Sequence, residues 1–194
     1  VSRRQLLLNH ENESIRKQAR EIFGGATRPD RAAVMNDYAL ALSKDGNREN
    51  GRVVFGKVCA TCHRLDGVGK VVGPNLAGLN NRAPTTYLTA ILDPNQAVEA
   101  KWMMVVAKTK EGLTLAGSVA EETSSAITLV GVDGSRTNIP RIDLQSLEST
   151  GRSLMPEGLE TAINTSEMSD LLTYLRSTGR PLKQAVVKGN TVEH

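Results

Sequence analysis

Cys59-Ala60-Thr61-Cys62-His63 constrains this chain more than any other stretch of it. Two thiols stand two residues apart, and an imidazole follows at once. These are the only two cysteines among 194 residues. The pattern is the attachment site of a covalently bound haem, whose vinyl groups take up the thiols while the adjacent histidine binds iron from one face. Aromatic residues make up only 3% of the chain, which is poor for a core of this size. A buried porphyrin would supply much of the missing apolar surface.

Two other uses of a C-x-x-C pair compete with this reading. A zinc site takes about four ligands, usually with a second Cys or His pair, and here only His10, His63 and His194 remain. A thioredoxin-like redox pair belongs to a βαβ context, which the pattern around Cys59 lacks. The net charge of +3 is mild and spread along the chain. With no aromatic and basic residues interleaved, it argues against a nucleic-acid partner. No stretch approaches the ~20 apolar residues that span a bilayer. The chain begins at Val1 rather than methionine, as expected of a fragment or processed product whose targeting signal lay upstream. Haem attachment normally follows export, so the motif implies a periplasmic or otherwise exported protein.

Hydrophobic spacing divides the chain. Ile15, Ala19, Ile22 and Phe23 fall on one helical face, which Gly24-Gly25 ends. Val34, Tyr38, Ala41 and Leu42 repeat the spacing after Pro29. Residues 1–47 thus read as a helical pair resembling the end of a HEAT-type array. Asp45-Gly46-Asn47 reads as a linker. Gly51, Phe55 and Val58 then share a helix face leading into the cysteines. Residues 64–82 read as loop, and Pro84 opens a helix that buries Tyr87, Leu88, Ile91 and Leu92. Asp93-Pro94 ends it.

From Trp102 to about Leu147 the period becomes two. Val105 and Ala107 alternate with Met104 and Val106, while Leu113, Leu115 and Val119, then Ile127 and Leu129, alternate with polar neighbours. Lys110-Glu111-Gly112 and Asp133-Gly134 mark turns. Four or five short strands are predicted, as a small antiparallel sheet or partly closed barrel. Helix returns with Met168, Leu171, Leu172 and Leu175, started by Asn164 and Glu167 and stopped by Gly179-Arg180-Pro181.

Five separate elements, in order, carry a family resemblance: Gly51 and Phe55, the pentapeptide, Gly73-Pro74-Asn75-Leu76, Leu154-Met155-Pro156, and Leu171 to Leu175 with Tyr174. Together they resemble a class I cytochrome c domain. The implied fold is mainly α, a cytochrome c fold with an inserted small antiparallel β module and the N-terminal helical pair. Residues 48–100 and 151–180 form the cytochrome c domain, 101–150 the insertion and 181–194 a tail. The spacing supports an insertion. Met155 follows His63 by 92 positions, and without the 50 residues of 101–150 the gap falls to 42, near the usual family separation.

The resemblance also implies roles. Cys59 and Cys62 form thioethers to one haem c, His63 is the proximal iron ligand with the Pro74 carbonyl as acceptor for its other ring nitrogen, and Met155 is the distal ligand. Arg82, Tyr87 and Trp102 are candidates to bond the haem propionates, with Lys101 a weaker one. Met35, Met103, Met104 and Met168 read as packing residues. The longer pattern is similar to the C-terminal haem-binding domain of large membrane-bound or secreted dehydrogenase-like proteins of planctomycetes and verrucomicrobia. It includes Gly67-Val68-Gly69, Ile91-Leu92-Asp93-Pro94, Gly117 and Met155-Pro156-Glu157-Gly158-Leu159. That likeness implies single-electron transfer from a fused or partner dehydrogenase to a downstream acceptor, with no catalytic residues in this segment. Two alternatives remain: a haem enzyme or gas or redox sensor with an open or displaceable distal position, and a partner-binding module with structural haem.

Overall fold

A computed structural model of the chain describes residues 6–7, 9–23, 29–79, 83–96 and 98–177. Arg82, the glycines at 24 and 25, the side chains of Ile22 and Phe23, and the segment 181–194 lie outside the described residues. The elements run α1 (Glu13–Phe23), α2 (Pro29–Asp37), α3 (Arg48–Val58), α4 (Pro84–Leu92), five strands and α5 (Thr165–Ser177), with single 3-10 turns at Ala39–Leu42, Leu76–Gly78, Ala100–Trp102 and Leu159–Thr161.

Helix α3 starts where Asn47 caps it, accepting from the Glu49 and Asn50 amides at 2.9 and 3.0 Å. This satisfies two donors that the first turn otherwise leaves bare. Helix α5 starts at a reciprocal capping box. The Glu167 amide donates to Asn164 Oδ1 at 3.0 Å and the Asn164 amide to Glu167 Oε2 at 2.9 Å. The two helices cross at Gly51. A Cβ there would sit 2.0 Å from the Asp170 carbonyl oxygen and 2.8 Å from Tyr174 Cβ, so only a hydrogen allows this approach. Beside the crossing, the Phe55 and Tyr174 rings meet at 5.6 Å, both fully buried, and the Arg48 guanidinium lies 5.7 Å from the Tyr174 ring centre. Leu88, Leu92, Met168 and Leu171 complete the core. Each fully buried apolar side chain of this kind contributes about 1.5–3 kcal/mol.

The N-terminal segment belongs to this core. Val34, Tyr38 and Leu42 pack on it and Ala41 is buried within it. The predicted spacing is therefore right about the buried face, but the HEAT-like pair finds no support. Helix α2 packs on α4 and on the 3-10 turn at Ala39–Leu42, and that turn stands in place of a second long helix. Asp45-Gly46-Asn47 likewise runs along α5. The Gly46 amide donates to Thr173 Oγ1 at 3.1 Å and the Asn47 amide to Asp170 Oδ1 at 2.6 Å. Two polar contacts fasten the segment further on. The Tyr38 hydroxyl donates to the Ile163 carbonyl at 2.5 Å, and Arg31 Nη2 pairs with Glu160 at 2.8 Å, the two side chains only 12% and 14% exposed.

The strands β1 (Met103–Thr109), β2 (Thr114–Glu122), β3 (Ala126–Val130), β4 (Arg136–Pro140) and β5 (Leu144–Ser153) form one antiparallel sheet in the order β4-β3-β2-β1-β5. The molecule is therefore not purely helical. Strands β4 and β5 lie at opposite edges yet are consecutive in the chain. From Pro140 to Leu144 the backbone reaches at most ~14 Å, while edge strands of a flat five-stranded sheet stand ~19 Å apart. The sheet therefore curls into a partly closed barrel. Inside it lie Val105, Ala107, Ile127, Leu129 and Ile139. The Lys110 amide donates to the Asp143 carbonyl at 2.8 Å, carrying the β1–β5 ladder one step past Thr109 and Leu144. Leu113 departs from its expected place in a strand: it lies in the β1–β2 turn and is 55% exposed. Strand β5 runs on to Ser153, past the expected edge at residue 150, because Ser153 pairs with Met103.

Two outcomes follow. Gly51→Ala drives a methyl into the Asp170 carbonyl and should lower stability by about 2–3 kcal/mol. Urea unfolding measures this, and an unchanged midpoint would contradict the crossing. Glu160 supplies an acid-range test. Burial pushes its carboxyl up, but the Arg31 hydrogen bond, backbone hydrogen bonds at Glu160 and Gly158 and the Arg31 charge together hold it below the usual range. Its contribution is then full above the unfolded pKa of about 4.3 and is lost as pH falls through the lower folded value. Glu160→Gln should cost about 1–2 kcal/mol at neutral pH and flatten stability against pH in that acid window. Parallel profiles for the two proteins would argue against the pair.

Candidate functional site

The cysteines sit where α3 runs out. Cys59 is its C-terminal cap, with its amide on the Phe55 carbonyl at 2.9 Å. The chain then turns tightly, the Cys62 and His63 amides both reaching the Cys59 carbonyl, at 3.1 and 2.9 Å. The following loop folds back over this turn. The Val72 and Gly73 amides donate to the Cys62 carbonyl at 2.9 and 2.8 Å, and the Lys70 amide to the Ala60 carbonyl at 3.0 Å.

That return places Pro74 and Gly73 against the imidazole. His63 Nδ1 lies 3.0 Å from the Pro74 carbonyl oxygen. A carbonyl only accepts, so Nδ1 carries the hydrogen and Nε2 keeps its lone pair in the neutral ring. Burial favours that neutral form and lowers the His63 pKa, with the Pro74 bond opposing it. Gly73 lies flat on the ring: a Cβ there would be 2.7 Å from His63 Cε1. The missing side chain is what lets the backbone hold the imidazole by face and edge together.

Burial also pushes the Cys59 thiol up, to about 12, with Cys62 adding to the shift. A thiol so held, at the C-terminal end of a helix, is a poor redox nucleophile, since reactive thiolates sit at helix N-termini or beside cations. The thioredoxin-like alternative loses ground on this. The zinc alternative does too: among the described residues no group of three or more His, Cys, Asp or Glu gathers to hold a metal ion.

Met155 is half-buried and packs against the helical core, as do Cys59, Leu76, Leu79 and Leu159. Two thiols, an imidazole with a free Nε2 and half-buried apolar side chains together make a donor set that fits a c-type haem. Cys59 and Cys62 would hold it covalently and His63 Nε2 would bind its iron. Trp102 is half-buried beside the Met155 segment, its carbonyl accepting from the Leu154 amide at 3.3 Å, while Lys101 Nζ lies 5.4 Å from its ring centre. Tyr87 is buried in the core on α4, and Arg82 lies outside the described residues. Of the other methionines, Met168 is fully buried, Met35 packs on the core, and Met103 accepts from Ser149 Oγ at 3.7 Å in the sheet.

Sequence reasoning missed Asn95 and Ser153, which meet beside Met155. The Ser153 amide donates to Asn95 Oδ1 at 2.7 Å, and Asn95 Nδ2 donates to Glu157 at 2.5 Å. Asn95 read only as the residue after a helix stop, and partners so distant leave no local signal. The barrel also touches the proximal loop, where a Cβ on Gly134 would lie 3.2 Å from Val72 Cγ2.

Among the curated proteins nothing matches the chain. The model of the cytochrome c family matches residues 48–111. That span holds α3, the pentapeptide, the returning loop, α4 and β1, and it ends before Met155. The match supports a haem-binding c-type cytochrome domain in this chain, with haem c as its cofactor.

Proposed function

We propose that the chain carries single electrons through one covalently attached haem whose iron is bound by His63 and Met155. The observation that carries the reading is His63 beside its two cysteines. Its Nδ1 is tied to the Pro74 carbonyl at 3.0 Å, which leaves Nε2 free to bind iron. The tie fixes the ring in rotation, so little has to move when the oxidation state changes. A thioether opposite it favours reduced iron and raises the potential relative to a second nitrogen. Met155 is supported by its half-buried position against the core and by its amide, which donates to Ser153 Oγ at 3.1 Å.

Electrons reach the site from a dehydrogenase, fused or separate, and leave to a downstream acceptor. The domain works in the periplasm or another exported compartment, where haem attachment takes place. Among the described residues no helix is long and apolar enough to cross a membrane. Trp102 and Tyr87 remain propionate candidates, supported by their places beside the Met155 segment and in the core.

The test is spectroscopic, on haem-loaded protein. The ferric form should show the weak long-wavelength charge-transfer band of a methionine-bound haem. Met155→Ala should abolish it, lower the midpoint potential and admit cyanide or carbon monoxide rapidly, with the fold retained by circular dichroism. Wild-type protein that lacks the band and binds those ligands rapidly would instead place it with the open-site enzymes and sensors.

A further inference from the structure

We propose that Asn95 is a positioning residue for Met155, its side-chain amide clasping both ends of the segment that carries the thioether. The inference rests on Met155 as an iron ligand and adds what holds it there. Residues 153–157 have no helix of their own and lie where β5 ends. The backbone amides from Ser153 to Met155 are each met. The Ser153 amide goes to Asn95 Oδ1 at 2.7 Å, the Leu154 amide to the Trp102 carbonyl at 3.3 Å and the Met155 amide to Ser153 Oγ at 3.1 Å. Pro156 has no N–H to satisfy. At the far end Glu157 accepts from Asn95 Nδ2 at 2.5 Å, and Arg152 Nη2 stands 3.9 Å from its other oxygen.

The chemistry selects an amide. The clasp needs one acceptor facing a backbone N–H and one donor facing a carboxylate. Asparagine supplies both, which also fixes which end of its amide is oxygen. Aspartate would keep the first bond, lose the second and set two carboxylates against each other. The anchor is firm, because Asn95 follows Asp93-Pro94, both buried, at the end of α4. A ligand held on a loop needs its supporting contacts fixed to about half an ångström. Asn95 thereby ties α4, the last strand of the barrel and the Met155 segment at one point.

The experiment uses haem-loaded wild type, Asn95→Asp, Glu157→Gln and the double variant Asn95→Asp/Glu157→Gln. It follows the methionine band and the rate at which imidazole displaces the sixth ligand of ferric haem. Asn95→Asp should speed displacement about 10-fold or more. Glu157→Gln should change it little, since the glutamine carbonyl still accepts from Asn95. The double variant should return to within about 3-fold of wild type, because glutamine can now donate to the introduced carboxylate. That rescue is a result a merely structural asparagine would not give. An unchanged rate in Asn95→Asp, or a double variant no better than the single, overturns the clasp. If Asn95→Asp yields no loaded protein, recovery of loading in the double variant supports the clasp, and failure of both overturns it. Should wild type show no methionine band, the ligand reading falls separately. Amide exchange at Ser153 and Met155 then decides the clasp: about 10-fold faster exchange in Asn95→Asp, with α5 amides unchanged, sustains it, and equal exchange ends it.

Discussion

Helix α3 can cross α5 closely only because Gly51 has no side chain, and the placement of the cysteines and His63 depends on that contact. The Asp170 carbonyl occupies the space a Cβ would take. Once the backbones are that close, Phe55 and Tyr174 reach each other and the lower end of α3 is fixed against the core. The cysteines begin at that end, so their position is inherited from a crossing two turns earlier in the helix. The other partner, α5, follows directly on the Met155 segment and the 3-10 turn at Leu159–Thr161. The crossing thus joins the two stretches of chain that carry the candidate ligands, although a whole sheet separates them in sequence.

The same burial acts oppositely on the two kinds of titrating group there, and the outcomes agree chemically. It keeps the Cys59 thiol protonated and the His63 ring neutral. A neutral imidazole whose Nδ1 hydrogen is committed to Pro74 offers a lone pair at Nε2. A protonated ring would offer none. Burial thus favours the form of the ring that offers a lone pair, and Gly73, pressed on the ring face, leaves no gap there.

Much of this was legible in the sequence where the signal is local. Pro84 opens α4, Asn164 and Glu167 cap α5, and the two-residue alternation of Val105 and Ala107 marks the inside of the barrel. Each is decided within a turn or a strand. The N-terminal segment was legible only in part. The spacing of Val34, Tyr38, Ala41 and Leu42 gave the buried face correctly, but periodicity does not say what a face packs on. Tyr38 and Arg31 reach residues more than a hundred positions away, which decides for the helical core. Leu113 was misplaced because one exposed leucine in a turn looks like the next member of an alternation. Asn95 was invisible for the opposite reason: its partners, Ser153 and Glu157, come together only after the sheet has formed between them.

The sheet itself shows how so large a segment can stand between α4 and Met155 without moving either. What matters to the helical part is the distance between its entry and exit. Met103 and Ser153 are a strand pair, and the Leu154 amide meets the Trp102 carbonyl, so the chain leaves and returns at one place. The barrel closes its own loop with its own ladder, and its core of Val105, Ala107, Ile127, Leu129 and Ile139 meets the ordering entropy internally. To the residues around Met155, the segment is therefore equivalent to a short connection whose two ends are already hydrogen-bonded. Such a connection holds its exit strand more rigidly than a free loop would. The segment that carries Met155 is then fastened to a sheet edge through Ser153 and to the end of α4 through Asn95.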